Sequence, residues 1–169
     1  MSADTRPDDD RERREFLRIY LTDHLAGSTA GTRRARRLAD AERDGPEGGQ
    51  LRVIADEIAA DRESLQAMID ELGVPPRRYK QVLARVAEVV GLVKLNGRLW
   101  RRSPLSTLVE IEALLIAVRG KLAGFETVRT VVGAPRLGPV DIDHLIERSR
   151  RQLDTLAGLH AAARARVLT

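Results

Sequence analysis

The chain has 169 residues and a formal net charge of +4, enough for one domain with a substantial core. It contains no cysteine, which excludes a disulfide framework and any thiolate metal site. No apolar run reaches bilayer length, and the polar N-terminus carries no segment resembling a secretory signal, so a cytoplasmic protein is expected.

Ala, Leu, Arg and Glu dominate and aromatics are scarce, a composition suited to helices. Lysine occurs only at Lys80, Lys94 and Lys121. An arginine-rich, lysine-poor chain is also what a GC-rich genome produces, so the basic balance alone does not signal nucleic acid.

Residues 1–10 are short of apolar side chains and read as a disordered tail, leaving residues 11–169 as a single domain. A first helix follows, with Phe16, Leu17, Ile19, Tyr20, Leu21 and Leu25 as its apolar face. It contains the small-residue run Ala26 to Gly31, expected to mark a close helix–helix approach because such residues otherwise weaken a helix. Asp44-Gly45-Pro46-Glu47-Gly48-Gly49 ends it.

The second helix carries the most informative pattern. Leu51, Ile54, Ile58, Leu65, Met68 and Leu72 recur at alternating three- and four-residue spacing, with one vacancy filled by Asp61. A carboxylate therefore occupies a core position, where an unpaired charge is prohibitively costly. Gly73 is the expected C-cap, and Pro75-Pro76 prevents continuation.

A third, shorter helix is expected over Tyr79 to Leu95, with Val82, Leu83, Val86, Val89, Val90 and Val93 on one side. Ser103-Pro104 reads as the N-cap and first position of a fourth helix. Its stripe is Leu108, Ile111, Leu115, Val118, Leu122 and Phe125. After a loop containing Gly133, Pro135 and Gly138-Pro139, the fifth helix starts at Asp141 or Asp143. It uses Ile142, Leu145, Ile146, Leu153, Leu156 and Val167. No strand with a clean period of two is evident.

These elements predict an all-α fold: a four-helix bundle in which the third helix is a crossover connection that makes the second and fourth helices parallel. In this order of elements, and in the phrase IADEIAADRESLQAMIDELGV from Ile54 to Val74, the chain resembles the ferritin-like superfamily, particularly small bacterial proteins of the YciF type. The resemblance covers roughly Phe16 to Val167 and is one of layout. It implies a bundle whose relatives carry Glu on two helices and Glu-x-x-His on the other two. This chain has no Glu-x-x-His. Its nearest match, Asp141-Ile142-Asp143-His144, lies at a helix start, where N-capping by an Asp is the competing role.

Two groups of residues are candidates for function. The first is a polar layer of His24, Asp61, Glu112 and His160, with Asp23 beside His24 and Arg119 near the layer. His and carboxylate are suitable ligands for iron, manganese or zinc. The competing reading is a buried ion-pair and hydrogen-bond cluster in which Arg119 and His160 satisfy Asp61 and Glu112. The second group is the basic segment 75–103, with Arg77, Arg78, Lys80, Arg85, Lys94, Arg98, Arg101 and Arg102 around Trp100. It would suit phosphates of nucleic acid or an anionic surface, or simply be a solvated face.

Neither a nucleophile motif nor a phosphate-binding glycine loop occurs. The leading expectation is a non-catalytic protein acting by binding or assembly, including self-association, with no cofactor. The alternatives are a metal-binding ferritin-like protein and a nucleic-acid or anionic-surface binder.

Overall fold

The computed structural model describes residues 7–73 and 104–168. They form four long helices, α1 (Pro7–Ala41), α2 (Gly48–Glu71), α3 (Pro104–Val132) and α4 (Ile142–Leu168). A two-residue ribbon, β1 (Arg136–Leu137) and β2 (Val140–Asp141), pairs antiparallel in the α3–α4 connection. The sequence had not predicted this ribbon, which is too short to carry a period of two. Asp8 to Asp10, expected in a disordered tail, belong to α1. The tail reading for residues 1–6 and the crossover helix Tyr79 to Leu95 lie outside the described residues.

Local chemistry explains where the helices stop. After Leu72, Gly73 adopts φ 67° and its N–H bonds the Asp70 carbonyl at 2.9 Å, the left-handed helix ending that glycine accepts without strain. Arg18 of α1 donates to the Leu72 carbonyl at 3.0 Å, tying this end to its neighbour. Gly133, at φ 68°, ends α3 in the same way. At the start of α4, Asp141 Oδ1 accepts the His144 N–H at 2.9 Å, so this carboxylate caps the helix.

Two apolar clusters fix how the helices run. One joins Leu17, Leu21 and Leu25 of α1 to the C-terminal halves of α2 and α3 and the start of α4, through Met68, Phe125 and Ile142. The other joins Leu38 at the far end of α1 to Ile54, Ile111 and Leu159. α1 and α4 therefore run one way and α2 and α3 the other. The expected parallel run of the second and fourth predicted helices is thus present. α1 packs on α2 and α3, and α3 on α4, whereas α2 and α4 meet mainly through long side chains. Among the described residues, no helix is long and apolar enough to cross a membrane.

The α1–α2 turn leaves no room for a methyl group at one of its two adjacent glycines. A Cβ on Gly48 would lie 2.5 Å from the Glu42 carbonyl oxygen and 2.6 Å from that of Arg43, whereas one on Gly49 meets nothing within 4 Å. Gly48→Ala is expected to destabilise by about 1–3 kcal/mol and Gly49→Ala to leave stability unchanged or raised. Urea denaturation of the two variants checks this; equal midpoints would show that the turn is open.

Candidate functional site: a buried ion-pair layer beside a cavity

Asp61 lies on the buried stripe of α2, between Ile58 and Leu65, with 1% of its surface accessible. Both carboxylate oxygens are occupied by cations. Lys121 of α3 bonds Oδ2 through Nζ. Arg148 of α4 bonds Oδ1, its Nε at 2.7 Å and its Nη2 closer still. Gln152 of α4, fully buried, completes the layer. Its Oε1 accepts from Lys121, and its Nε2 donates to Asp61 Oδ2 at 3.1 Å and to Glu57 Oε2 at 3.0 Å. Two carboxylates face two cations, and no buried side-chain nitrogen or oxygen among the described residues is left without a partner. Such closure is what makes a buried charge tolerable.

The layer is built differently from the one expected. Arg119 is exposed and takes no part. His160 and Glu112 pair with each other at 3.0 Å, with half of the Glu112 side chain in solvent. His24 sits elsewhere, its Nδ1 on the Tyr20 carbonyl at 3.1 Å and its ring stacked obliquely on that of Tyr20. Asp23 is exposed. Of the residues singled out, only Asp61 is in the layer; Lys121, Arg148, Gln152 and Glu57 were missed.

The reason is helical phase. In α4 the buried positions are Ile142, Leu145, Ile146, Ser149, Gln152, Leu156, Leu159 and Ala163, and all but Ile146 fall on one alternation of three and four. Assigning the stripe to Leu153 instead of Gln152 rotates the lower half of the helix by about 100° and brings His160 inward. In α3 the buried residue is Leu114, with Leu115 only partly covered. The alternation Ile111, Leu114, Val118 then leads to Lys121. The signal was a polar residue at a stripe position, the same signal that exposed Asp61.

The small-residue run does not mark a tight contact either. Gly27, Ser28 and Gly31 of α1 face Ala117, Gly120 and Gly124 of α3 across a cavity of about 370 Å³. An added Cβ on Gly27, Gly31 or Gly120 would meet nothing within 4 Å. Substitution by leucine at Gly27 or Gly31 therefore fills space and does not overpack a contact. The close approach is instead at Gly124, where a Cβ would lie 2.6 Å from the His24 ring. The hydroxyls of Ser28, Thr29 and Thr32 bond carbonyls of α1 itself.

The basic residues Arg77, Arg78, Lys80, Arg85, Lys94, Arg98, Arg101 and Arg102 lie outside the described residues. Among the described residues, no group of three or more His, Asp or Glu could hold a metal ion. Comparison with protein-family models, curated proteins and solved structures finds no match to this chain.

The layer has two measurable consequences. Asp61→Ala leaves two largely buried cations facing Glu57 alone and should cost about 3–5 kcal/mol. Arg119→Ala and His160→Ala, at exposed or half-exposed positions, should stay within about 1 kcal/mol of wild type. Urea denaturation measures all three; an Asp61→Ala protein as stable as wild type would show that its carboxylate faces water.

Burial holds the Lys121 pKa below the ordinary lysine value of 10.5, and the attraction of Asp61 offsets this only in part. Between the lowered value and 10.5 the unfolded chain binds more protons at this position than the folded one, so this group makes stability rise with pH there. Stability measured against Lys121→Met should show that rise across the alkaline range. A difference that is flat or falls with pH contradicts a net desolvated ammonium.

Proposed function

We propose that this chain is a ferritin-like helical-bundle protein that acts by binding or assembly, not by catalysis, and that its central polar layer is structural. The observation that carries the reading is the occupancy of Asp61: each carboxylate oxygen is held by a side-chain cation. A metal ion at this carboxylate would have to displace an ammonium or a guanidinium and leave that charge buried. The other residues considered as ligands, His24, Glu112 and His160, bond elsewhere.

The ferritin-like layout is supported by the parallel run of α2 and α3, the arrangement of a four-helix bundle with a long crossover connection. A role in binding or assembly is supported by apolar side chains on outer faces, such as Phe16 at 60% and Ile116 at 75% exposure, since apolar groups in water favour association.

Protein purified without chelator or histidine tag tests the reading. Elemental analysis should find iron, manganese and zinc far below one ion per chain, and EDTA should leave Tm unchanged. One ion per chain, lost together with stability in Asp61→Ala, would replace this reading with that of a metal-binding bundle.

A further inference from the structure

The cavity between α1 and α3 has features of its own that the ion-pair layer does not explain. Its volume, about 370 Å³, falls in the range of small-molecule pockets. Leu21, Ile58, Leu65, Leu114, Val118 and Phe125 give it apolar walls. Gly27 on one side and Ala117 and Gly120 on the other are exposed, so the space opens to solvent between the two helices. Ile58 and Leu65 lie one turn to either side of Asp61, so the floor is level with the ion-pair layer.

Two polar groups meet the cavity with hydrogen-bonding capacity to spare. Lys121 lines it and keeps 11% of its side-chain surface accessible. Its ammonium has three N–H donors, of which Asp61 and Gln152 take two. His24 also lines it. With Nδ1 donating to the Tyr20 carbonyl, the neutral ring presents Nε2 as an acceptor over Gly124. A hydroxyl group is the simplest complement to this pair, since it can both accept from an ammonium and donate to an imidazole nitrogen.

Charge selects further. Lys121 is already neutralised within a layer of two cations and two carboxylates, and among the described residues Asp23 is the one other charged side chain along the wall. An anionic ligand would meet Asp23 without an uncompensated cation to offset it.

We propose that the α1–α3 cavity is a binding site for a small, neutral, mainly apolar molecule bearing a hydroxyl group, an apolar alcohol or phenol, held by Lys121 and His24. The site rests on the reading of the layer as structural, because a metal at Asp61 would displace Lys121 from its place.

The matched probes 2-naphthol, naphthalene and 2-naphthoate test it by equilibrium dialysis against EDTA-treated full-length protein. 2-Naphthol should bind about tenfold more tightly than naphthalene, roughly the worth of a net hydrogen bond or two, and 2-naphthoate should bind least. Lys121→Met should bring 2-naphthol to within about twofold of naphthalene, the lost donor accounting for the difference. Gly31→Leu, which fills the cavity, should abolish binding of all three, while Gly31→Ala retains it. Circular dichroism establishes that each variant is folded, and if Gly31→Leu is not, Gly27→Leu replaces it.

The proposal is overturned if none of the probes binds up to its solubility limit, if 2-naphthoate binds best, or if folded Gly31→Leu or Gly27→Leu binds like wild type. Metal analysis of the untreated sample keeps the two readings apart. One ion per chain overturns the structural role of the layer, whereas failure of 2-naphthol to bind metal-free protein overturns the cavity site alone.

Discussion

A single buried carboxylate organises this molecule. Asp61 has water on neither side, and the energy of removing it from solvent is recovered only if cations and donors reach it in good geometry. Lys121 comes from α3, and Arg148 and Gln152 from α4. Three helices are thus bound to one side chain. Because Gln152 also reaches Glu57, the network closes back on α2, the helix from which it started. Above and below it lie two apolar clusters, both touched by the partly buried Leu153, so the layer divides the core into two halves.

The remaining helix, α1, stands apart from this network. At the level of the layer α1 contributes Ser28, Thr29 and Thr32, whose hydroxyls bond their own helix, one turn back. Having no charge to supply, α1 places small side chains beside Lys121, and the space that long side chains would have filled remains as the cavity. The absence of large groups on α1 and the presence of polar groups on the other three helices are two sides of one arrangement. A leucine on α1 aimed at the layer would press an apolar group against the ammonium, where it satisfies nothing.

How much of this was legible in the sequence depends on the residue type at each core position. The stripe of α2 could be read directly, because every member but one is apolar and the exception falls between Ile58 and Leu65. The cap at Gly73 and the parallel run of α2 and α3 followed from local chemistry and segment length, whereas the start of α4 lay open between Asp141 and Asp143 until the Asp141 cap decided it. The stripes of α3 and α4 were harder, because Lys121, Ser149 and Gln152 occupy core positions while Leu115 and Leu153 sit one residue to the side. A reading that follows apolar residues drifts to those leucines and turns the helix face with them, which is why His160 and Arg119 looked central. The small-residue run was ambiguous for a different reason. Glycine spacing identifies a position that lacks side chains, and whether a neighbouring backbone or a void fills the space is decided by the opposite helix. Here Ala117, Gly120 and Gly124 are small as well.

The same spacing shows why an ion-pair layer is worth its desolvation cost in a core of this kind. Away from the layer, the core positions of α3 and α4 follow a seven-residue repeat of mostly aliphatic side chains, and such repeats pack almost equally well when one helix slides by a full heptad. Sliding α3 by seven residues would place Leu114 or Val128 opposite Asp61 instead of Lys121. Sliding α4 would replace Gln152 with Leu145 or Leu159. In each case an apolar contact of ordinary quality forms, but the carboxylate loses a partner and stays buried. Apolar packing alone therefore leaves several registers close in energy, and the polar layer separates them. On this argument the network contributes less to how stable the fold is than to which of its nearly equivalent packings is the native one. That also explains why the charges sit at the middle of the helices, where a displacement in either direction breaks the same bonds.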